Sequence, residues 1–331
     1  MLRSSGEIES FLRSVLQGPM PQPLQRMLCY HMGWEEADGR PSSQGGKALR
    51  PNLCLLACEA AGGNVRRALP AAAAVELVHN FSLIHDDIQD RDRERRHRPT
   101  VWSIWGEAQA INAGDALLTL ARLAMARLAD DGVPPEITIE AARLLDERTL
   151  EMVEGQVLDI AFEGAADVSV DGYLEMIEKK TGALFDCSLA LGALVAGASS
   201  ETVETLGGCG RRAGAAYQIG DDVRGIWGAE ERTGKEQGAD IRRRKKSLPM
   251  VYAFAEASPP VLEGLKSVYS KAELSDEDVA AVTRTLERLG ARSYCERLAQ
   301  AKGAQAISVL EDLGPAAAQL REAVVGLVAL E

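Results

Sequence analysis

Apolar residues recur at positions three and four apart along most of the chain, and this spacing predicts amphipathic α-helices. Residues 69–87 are apolar almost all round, which is typical of a buried central helix. Ser275 is a suitable N-cap for a late helix that covers residues 274–282. The remaining predicted helices span residues 53–61, 111–129, 136–160, 173–198 and 202–227.

The helical periodicity stops at residue 228. Residues 228–247, GAEERTGKEQGADIRRRKKS, are rich in glycine and charge, so we expect a loop that acts as a mobile flap. The sequence contains no hairpin signal, no short-period repeat and no low-complexity linker, and no shift in composition marks a boundary. The fold class that follows is all-α, with residues 1–331 forming a single domain.

Composition and charge exclude several classes of partner. The net charge is −12, so the surface as a whole should repel nucleic acid and anionic membranes. No apolar run approaches the length of a membrane span, and the first residues lack the apolar region of a signal peptide. The six cysteines show no zinc-binding spacing and suit a reducing compartment. We therefore expect a cytoplasmic protein that binds no nucleic acid.

Three aspartates crowd the end of the predicted central helix, in the segment SLIHDDIQD. Asp86 and Asp90 are four positions apart and share a helical face, with Asp87 beside them. Such crowding is unfavourable unless a cation is bound, and carboxylate oxygens without Cys or clustered His suit a hard ion such as Mg²⁺. Taken alone, a solvated acidic helix end explains this segment equally well.

A second acidic segment, YQIGDDVRG, favours the metal interpretation. It places Asp221 and Asp222 near the end of another mostly apolar helix. Two acidic patches at the ends of buried helices can face each other across a cavity. Metal ions held between them would bind a diphosphate, because Mg²⁺ sites are commonly completed by substrate phosphates.

Basic residues near the acidic segments supply the charge that a diphosphate requires, since arginine binds phosphate oxygens bidentately. The candidates are Arg95 and Arg96 beyond the first acidic segment, Lys47 and Arg50 in QGGKALRP, and Lys235 and Lys245 in the flap. The run RRRKK at 242–246 is alternatively a solvated surface or a localisation signal. Its position after the second acidic segment favours a phosphate-covering role for Lys245.

In their order and spacing, these segments resemble those of the trans-isoprenyl diphosphate synthases, a family of prenyltransferases. The resemblance extends from about residue 44 to residue 249 and rests on GGKALRP, HNFSLIHDDIQD, RRHRPT, AGD, EGQVLD, KKT, YQIGDD and TGKEQGADIRRRKKSLP. It implies the isoprenoid synthase fold, a bundle of long helices around a deep central cavity, usually as a homodimer. It also implies Mg²⁺-dependent head-to-tail condensation of isopentenyl diphosphate with dimethylallyl, geranyl or farnesyl diphosphate.

The resemblance also assigns roles to individual residues. The implied metal ligands, for three Mg²⁺ ions with diphosphate bound, are Asp86, Asp90 and Asp221, and further catalytic residues are Asp87, Asp222 and Lys180. The allylic diphosphate would be held by Arg95, Lys180, Gln218, Lys235 and Lys245, with Thr181 as a further substrate-binding residue. Isopentenyl diphosphate would be held by Lys47, Arg50, His79 and Arg96.

The implied reaction begins with ionisation of the allylic diphosphate, whose departure metal ions and cationic side chains stabilise. The isopentenyl double bond attacks the allylic cation. A proton then leaves, with the bound diphosphate as its acceptor, because the sequence offers no obvious protein base. Water has to be excluded from the cation, and closure of the flap is the expected means.

Two residues that precede Asp86, the first aspartate of the acidic segment, predict the product. In the family, an aromatic residue five positions before the first aspartate, with a small residue four before it, points to geranylgeranyl diphosphate. Two aromatic residues there point to farnesyl diphosphate. Phe81 and Ser82 therefore predict geranylgeranyl diphosphate, with farnesyl diphosphate as the alternative.

Two departures from the family pattern bear on the site, whereas Ala48 and Arg244 occupy positions that vary and indicate little. Gly225 stands where a third aspartate is common in the second acidic segment, which puts the metal geometry there in doubt. His97 stands where a glycine is common, which is expected to alter the turn after Arg96.

Two other functions remain open from the residues alone. A class I terpene cyclase also ionises allylic diphosphates, but its second metal motif does not match the residues after Asp221, and the isopentenyl pocket would be superfluous in it. A non-catalytic partner subunit is favoured by Gly225 and opposed by the retention of the other acidic and basic positions.

Overall fold

The computed structural model describes residues 5–46, 48–165, 167–228, 237–271 and 273–329. Within these ranges the regular secondary structure is almost entirely helical, which confirms the all-α prediction. The α-helices are α1 (Ser5–Leu16), α2 (Gln22–His31), α3 (Leu49–Ala60), α4 (Leu69–Gln89), α5 (Val101–Trp105), α6 (Glu107–Ala126), α7 (Pro135–Gly164), α8 (Val170–Ile177), α9 (Ala183–Ala196), α10 (Ser200–Trp227), α11 (Ala239–Arg242), α12 (Leu248–Glu256), α13 (Pro259–Tyr269), α14 (Asp276–Arg288), α15 (Ala291–Glu311) and α16 (Ala318–Val328). The shorter elements are the 3₁₀ turns Val65–Ala68 and Pro315–Ala317, the π turn Glu178–Gly182, and strands β1 (Glu94–Arg95) and β2 (Arg98–Pro99).

Apolar periodicity located α4, α6, α7 and α10, whereas the long helix α15 was not delimited from the sequence. Residues 69–87 lie within α4, and the alanines at 71–74 are fully buried. Ser275 caps α14 as predicted, because its Oγ accepts a hydrogen bond from the Asp278 N–H at 3.2 Å. The Asp278 carboxylate accepts one in return from the Ser275 N–H at 3.1 Å, which completes a capping box. Among the described helices, none is both long and apolar enough to cross a bilayer.

A short β-hairpin follows α4, so the absence of a hairpin predicted from the sequence is wrong. Arg95 and Arg98 are paired, and the two residues between them, Arg96 and His97, have φ of 53° and 60°. Both are left-handed, as in a type I′ turn, which is normally built from Asn and Gly. The pair Arg-His carries no such signature, and the hairpin was therefore missed.

The described residues divide into two compact units. The first unit consists of described residues within 1–149, 186–207 and 313–320. The second consists of described residues within 150–185, 208–312 and 321–331. A single domain over residues 1–331, with a mobile flap, stays a prediction, and residues 229–236 of that flap lie outside the described residues.

Helices α3 and α9 approach each other closely in the first unit. A Cβ on Gly192 of α9 would lie 2.1 Å from the Cys54 carbonyl oxygen and 2.9 Å from the Cys58 nitrogen. Both are backbone atoms of α3, so the contact depends on the missing side chain. Alanine at this position would force the two helices apart.

Gly192→Ala is therefore expected to lower the free energy of unfolding, measured in a urea titration. The loss should be at least about 1–3 kcal/mol, which is typical of an overpacked core. Gly264→Ala is the matched control, because Gly264 lies in α13 with no atom within 4 Å of the added Cβ. The control should be neutral or stabilising, since alanine favours helix over glycine. Equal effects of the two substitutions would contradict the close packing of α3 and α9.

Candidate active site

The first acidic segment lies at the carboxyl end of α4, in the first unit. Asp86 is half-buried in the helix, and Asp90 is its exposed C-cap. The Asp90 N–H donates to the Asp86 carbonyl at 2.8 Å, so the two residues lie one turn apart on one face. This arrangement places two carboxylates where a hard cation can approach them from solvent.

Asp87 has a different environment, because its side chain is buried and faces the hairpin. The Arg95 Nε donates to Asp87 Oδ1 at 2.7 Å, and the Asp87 side chain is only 2% exposed. Burial raises the pKa of Asp87 to about 6, although Arg95 acts in the opposite direction. Asp87 therefore fixes the orientation of Arg95, which agrees with a supporting role.

The strained hairpin turn brings Arg96 against the GGKALRP segment. A Cβ on Gly46 would lie 2.8 Å from Arg96 Nη1, so the guanidinium rests on a backbone that has no side chain. Left-handed non-glycine residues such as Arg96 cost on the order of 1–3 kcal/mol and cluster at functional sites. The contact joins two predicted phosphate-binding segments, although Lys47, the next residue, lies outside the described residues.

Cationic groups and a buried glutamate lie near His79 on α4. Burial lowers the pKa of His79 well below its usual value, and Arg50, Arg96 and Arg95 lower it further. The imidazole is therefore neutral at physiological pH. Glu76 lies nearby and is buried, which raises its pKa, while Arg50 acts in the opposite direction. Arg50, His79 and Arg96 thus share one electrostatic neighbourhood in the first unit.

Sequence reasoning missed His31, the last residue of α2, in the same neighbourhood. Burial lowers the pKa of His31 to about 3, and Arg95 and Arg96 contribute to the shift. Its buried Nε2 has no hydrogen-bond partner among the described residues. No motif marks His31, and only the folded contact between α2 and the hairpin region identifies it.

The two residues predicted to control chain length lie on α4. Phe81 is 8% exposed and packs edge-to-face against His85, with ring centroids 4.8 Å apart. Ser82 Oγ donates to the His79 carbonyl at 2.8 Å. A Cβ on Gly114 would lie 2.3 Å from His85 Nε2, which explains the glycine of the AGD segment. His85 was not singled out from the sequence, and it supports Phe81 from the side.

The second acidic segment lies on α10, in the second unit, and its two aspartates differ in environment. Asp221 is exposed, with Arg224 Nη2 at 3.5 Å. Asp222 is 1% exposed and accepts hydrogen bonds from Tyr173 Oη at 2.5 Å, Gln218 Nε2 at 3.1 Å and the Leu248 N–H at 3.0 Å. Burial raises the pKa of Asp222 to about 6. Asp221 is thus open to a ligand, whereas Asp222 is held by the protein.

Lys180 and Thr181 lie on the π turn that interrupts the predicted helix 173–198. Such turns recur at functional sites. Lys180 Nζ donates to Asp159 Oδ2 at 2.6 Å, and Thr181 Oγ1 donates to Gln218 Oε1 at 3.0 Å. Gln218 therefore connects Thr181 of the π turn to Asp222, whereas Lys180 of the same turn is bound to Asp159.

In the RRRKK run, Arg242, Arg244 and Lys246 anchor the segment to other parts of the protein, whereas Lys245 has a different environment. Protein groups bind the anchors: Arg242 donates to Asp276 at 2.6 Å, Arg244 to the Lys271 carbonyl at 2.7 Å, and Lys246 to the carbonyls of Phe162 at 2.7 Å and Glu163 at 3.1 Å. Lys246 thereby caps the carboxyl end of α7. Lys245 lies instead among the carboxylates of the second acidic segment. Lys235 lies outside the described residues.

Each unit offers carboxylate oxygens, which Mg²⁺ prefers. In the first unit these belong to Asp86 and Asp90, and in the second unit to Asp221. Within the described ranges, no three carboxylate, histidine or cysteine side chains converge closely enough to hold a metal by themselves. Mg²⁺ sites in proteins commonly include water and substrate phosphate oxygens among their ligands.

The chain matches a known protein family over most of its length. A family model described as Polyprenyl synthetase matches residues 39–286. The chain therefore belongs to the polyprenyl synthetase family, which confirms the resemblance drawn from the sequence. It is an enzyme of the short-chain trans-isoprenyl diphosphate synthase type.

Similar proteins differ in the product that their names state. A (2E,6E)-farnesyl diphosphate synthase of Mycobacterium tuberculosis strain H37Rv is 42% identical over 295 residues, 88% of this chain and 81% of that protein. A geranylgeranyl diphosphate synthase of the same strain is 41% identical over 294 residues, 88% of this chain and 83% of that protein. The crystal structure of a polyprenyl synthetase from Streptomyces coelicolor A3(2) has a TM-score of 0.90 at 37% identity, covering 98% of this chain and 96% of that one.

Tyr173→Phe tests the hydrogen bonds that hold Asp222. The substitution removes one donor from a buried carboxylate, and we expect the free energy of unfolding to fall by about 1–3 kcal/mol in chemical denaturation. Tyr294→Phe is the control, because the Tyr294 ring stacks on Tyr252 at 4.2 Å and the donors of Asp222 stay intact. An equal loss for both variants would contradict a special role of Tyr173.

Proposed function

We propose that the chain condenses isopentenyl diphosphate head-to-tail with an allylic diphosphate and that geranylgeranyl diphosphate is the product. The observation that carries the proposal is the contact of the Arg96 guanidinium with Gly46, beside Arg50 and neutral His79. Two guanidinium groups with a neutral imidazole suit an anion that approaches the GGKALRP segment. In this proposal the anion is isopentenyl diphosphate, with Lys47 as a further ligand.

The allylic diphosphate has a separate set of ligands in this proposal. Gln218 is hydrogen-bonded to Asp222, Lys180 donates a hydrogen bond to Asp159, and Lys245 lies among the carboxylates of both aspartates. These side chains would bind and orient the diphosphate, with Thr181 fixing Gln218. Arg95, held by Asp87, and Lys235 are further ligands carried over from the family.

Magnesium is the metal that the carboxylate donors favour. Asp86, Asp90 and Asp221 would hold three Mg²⁺ ions together with the diphosphate. Bound Mg²⁺ would neutralise the negative charge that develops on the leaving diphosphate.

The side chains of the chain supply binding, orientation and exclusion of water. Lys180 and Lys245 stabilise the diphosphate as its bond to the allylic carbon breaks. Arg50 and Arg96 hold isopentenyl diphosphate so that its double bond attacks the allylic carbon. Attack leaves a cation on the former isopentenyl part, and the adjacent carbon loses a proton to the released diphosphate as the new double bond forms. Phe81 lines the path of the growing chain, where apolar side chains exclude water from the cation.

Incubation of the purified protein with Mg²⁺, labelled isopentenyl diphosphate and each allylic primer in turn tests this function. Geranylgeranyl diphosphate as the main product would support the proposal. Farnesyl diphosphate would keep the reaction and reject the product. Absence of condensation with dimethylallyl, geranyl and farnesyl diphosphate would reject the function.

Phe81→Ala is expected to lengthen the product, because removal of the ring opens space along α4 where the growing chain would end. The measurement is the chain-length distribution of the products by chromatography. Phe254→Ala is the control, since Phe254 packs against Tyr269 in the second unit and should leave the distribution unchanged. An unchanged distribution with Phe81→Ala would rule out this residue as the limit.

We also infer a homodimer through one face of α7. Leu150, Val153, Val157 and Ile160 recur at helical spacing and are 62%, 41%, 61% and 43% exposed. An apolar stripe of this kind on a surface helix is typical of a protein interface. A second copy of the chain is the occupant that the family resemblance favours.

Val157→Glu is expected to convert the dimer to a monomer in analytical ultracentrifugation, because a charge would be buried without a partner at the interface. Glu140→Lys, a charge change elsewhere on exposed α7 surface, is the control and should leave the mass unchanged. A monomer in the unmodified protein, or a dimer that survives Val157→Glu, would exclude this face.

A cytoplasmic location is supported by the cysteines. All six are buried as free thiols. Burial raises the pKa of Cys58 to about 11 and that of Cys209 to about 12, so neither forms a thiolate readily. Buried, unreactive thiols suit a reducing compartment. Recovery of the native protein in the cytosolic fraction of the cells would support this location. Recovery in another fraction would reject it.

A further inference from the structure

Gly225 lies one helical turn beyond Asp221 on α10, and another side chain occupies the space beside it. A Cβ on Gly225 would lie 2.2 Å from Asp240 Oδ2 and 2.5 Å from Asp240 Cγ. The Asp240 carboxylate therefore rests directly on the backbone of α10, and the residue is only 8% exposed. No side chain fits at position 225 while Asp240 keeps this place.

The backbone of Asp240 begins the turn that presents Lys245. The Lys245 N–H donates to the Asp240 carbonyl at 2.8 Å, and the Arg244 N–H donates to the Ile241 carbonyl at 2.8 Å. With Arg244 at a φ of 56°, these bonds form a Schellman motif at the end of α11. A displacement of Asp240 would therefore be passed through this turn to Lys245.

Charge connects the same residues. Partial desolvation lowers the pKa of Lys245, but the carboxylates of Asp222, Asp240, Asp159 and Asp221 outweigh it and raise the pKa overall. The ammonium group is therefore firmly protonated, and Asp240 is one of the groups that attract it. Part of the Lys245 side chain stays exposed, which leaves it accessible to a ligand.

We propose that Asp240 is a positioning residue for Lys245 and that position 225 is glycine so that the Asp240 carboxylate can pack against α10. Gly225 is then not a lost metal ligand. An aspartate restored at this position would displace Asp240 and, through the Schellman turn, Lys245. The inference rests on the proposed function in one respect, the assignment of Lys245 to the allylic diphosphate.

Steady-state kinetics of Gly225→Ala and Gly225→Asp test the proposal. We expect KM for the allylic diphosphate to rise at least about tenfold in both variants, because misplacement of a binding group by about 1 Å can cost about 100-fold in rate. KM for isopentenyl diphosphate should stay within about twofold, since its proposed ligands Arg50, His79 and Arg96 belong to the first unit. Gly264→Ala, a helical glycine with open space around it, is the control for a general effect of alanine. Higher activity in Gly225→Asp than in the unmodified protein would overturn the proposal.

A thermal double-mutant cycle tests the contact without using activity. Gly225→Ala should lower Tm clearly in the unmodified background and much less in Asp240→Ala, where the clashing atoms are absent. Additive changes in Tm would overturn the packing of Asp240 against Gly225. If the unmodified protein failed to condense its substrates, the proposed function would fall, while the cycle would still decide whether the two residues are coupled.

Discussion

The buried carboxylate of Asp222 imposes the constraint on which the second unit is organised. An ionised carboxylate removed from water costs several kcal/mol unless donors replace its hydration. Tyr173 of α8, Gln218 of α10 and the first N–H of α12 are these donors. One carboxylate therefore fixes three helices against each other. Gln218 and Lys245, both assigned to substrate in the proposed function, are oriented as a consequence.

In the first unit, cationic groups rather than a buried carboxylate have to be compensated, because several of them lie close together. Asp87 neutralises Arg95 through a short hydrogen bond, whereas His79 and His31 avoid further charge by remaining neutral. Arginine cannot deprotonate, so Arg50 and Arg96 keep their charge. A region of this kind is stabilised by an anion more than by any rearrangement of its own. The electrostatics of the first unit thus agree with the diphosphate ligand of the proposed function.

The sequence was sufficient to predict the features that depend on local patterns of residues. Apolar spacing located α4, and Ser275 marked the start of α14, because both signals lie within a few consecutive residues. The hairpin was missed because Arg96 and His97 adopt left-handed conformations that favour other residues. His31 was missed because its importance depends on neighbours distant in sequence. The glycines at 46, 114 and 225 were visible, but the side chains resting on them were not.

Overall sequence similarity does not decide the chain length of the product. Identities of 42% and 41% to synthases named for farnesyl and geranylgeranyl diphosphate are practically equal, so the distinction has to reside in a few side chains. On α4, Phe81 is supported by the His85 ring, and that ring is lodged against Gly114 of α6. A larger residue at 114 would push His85 and with it Phe81. In the proposed function, the limit on chain length therefore depends on this contact between two helices and not on Phe81 alone.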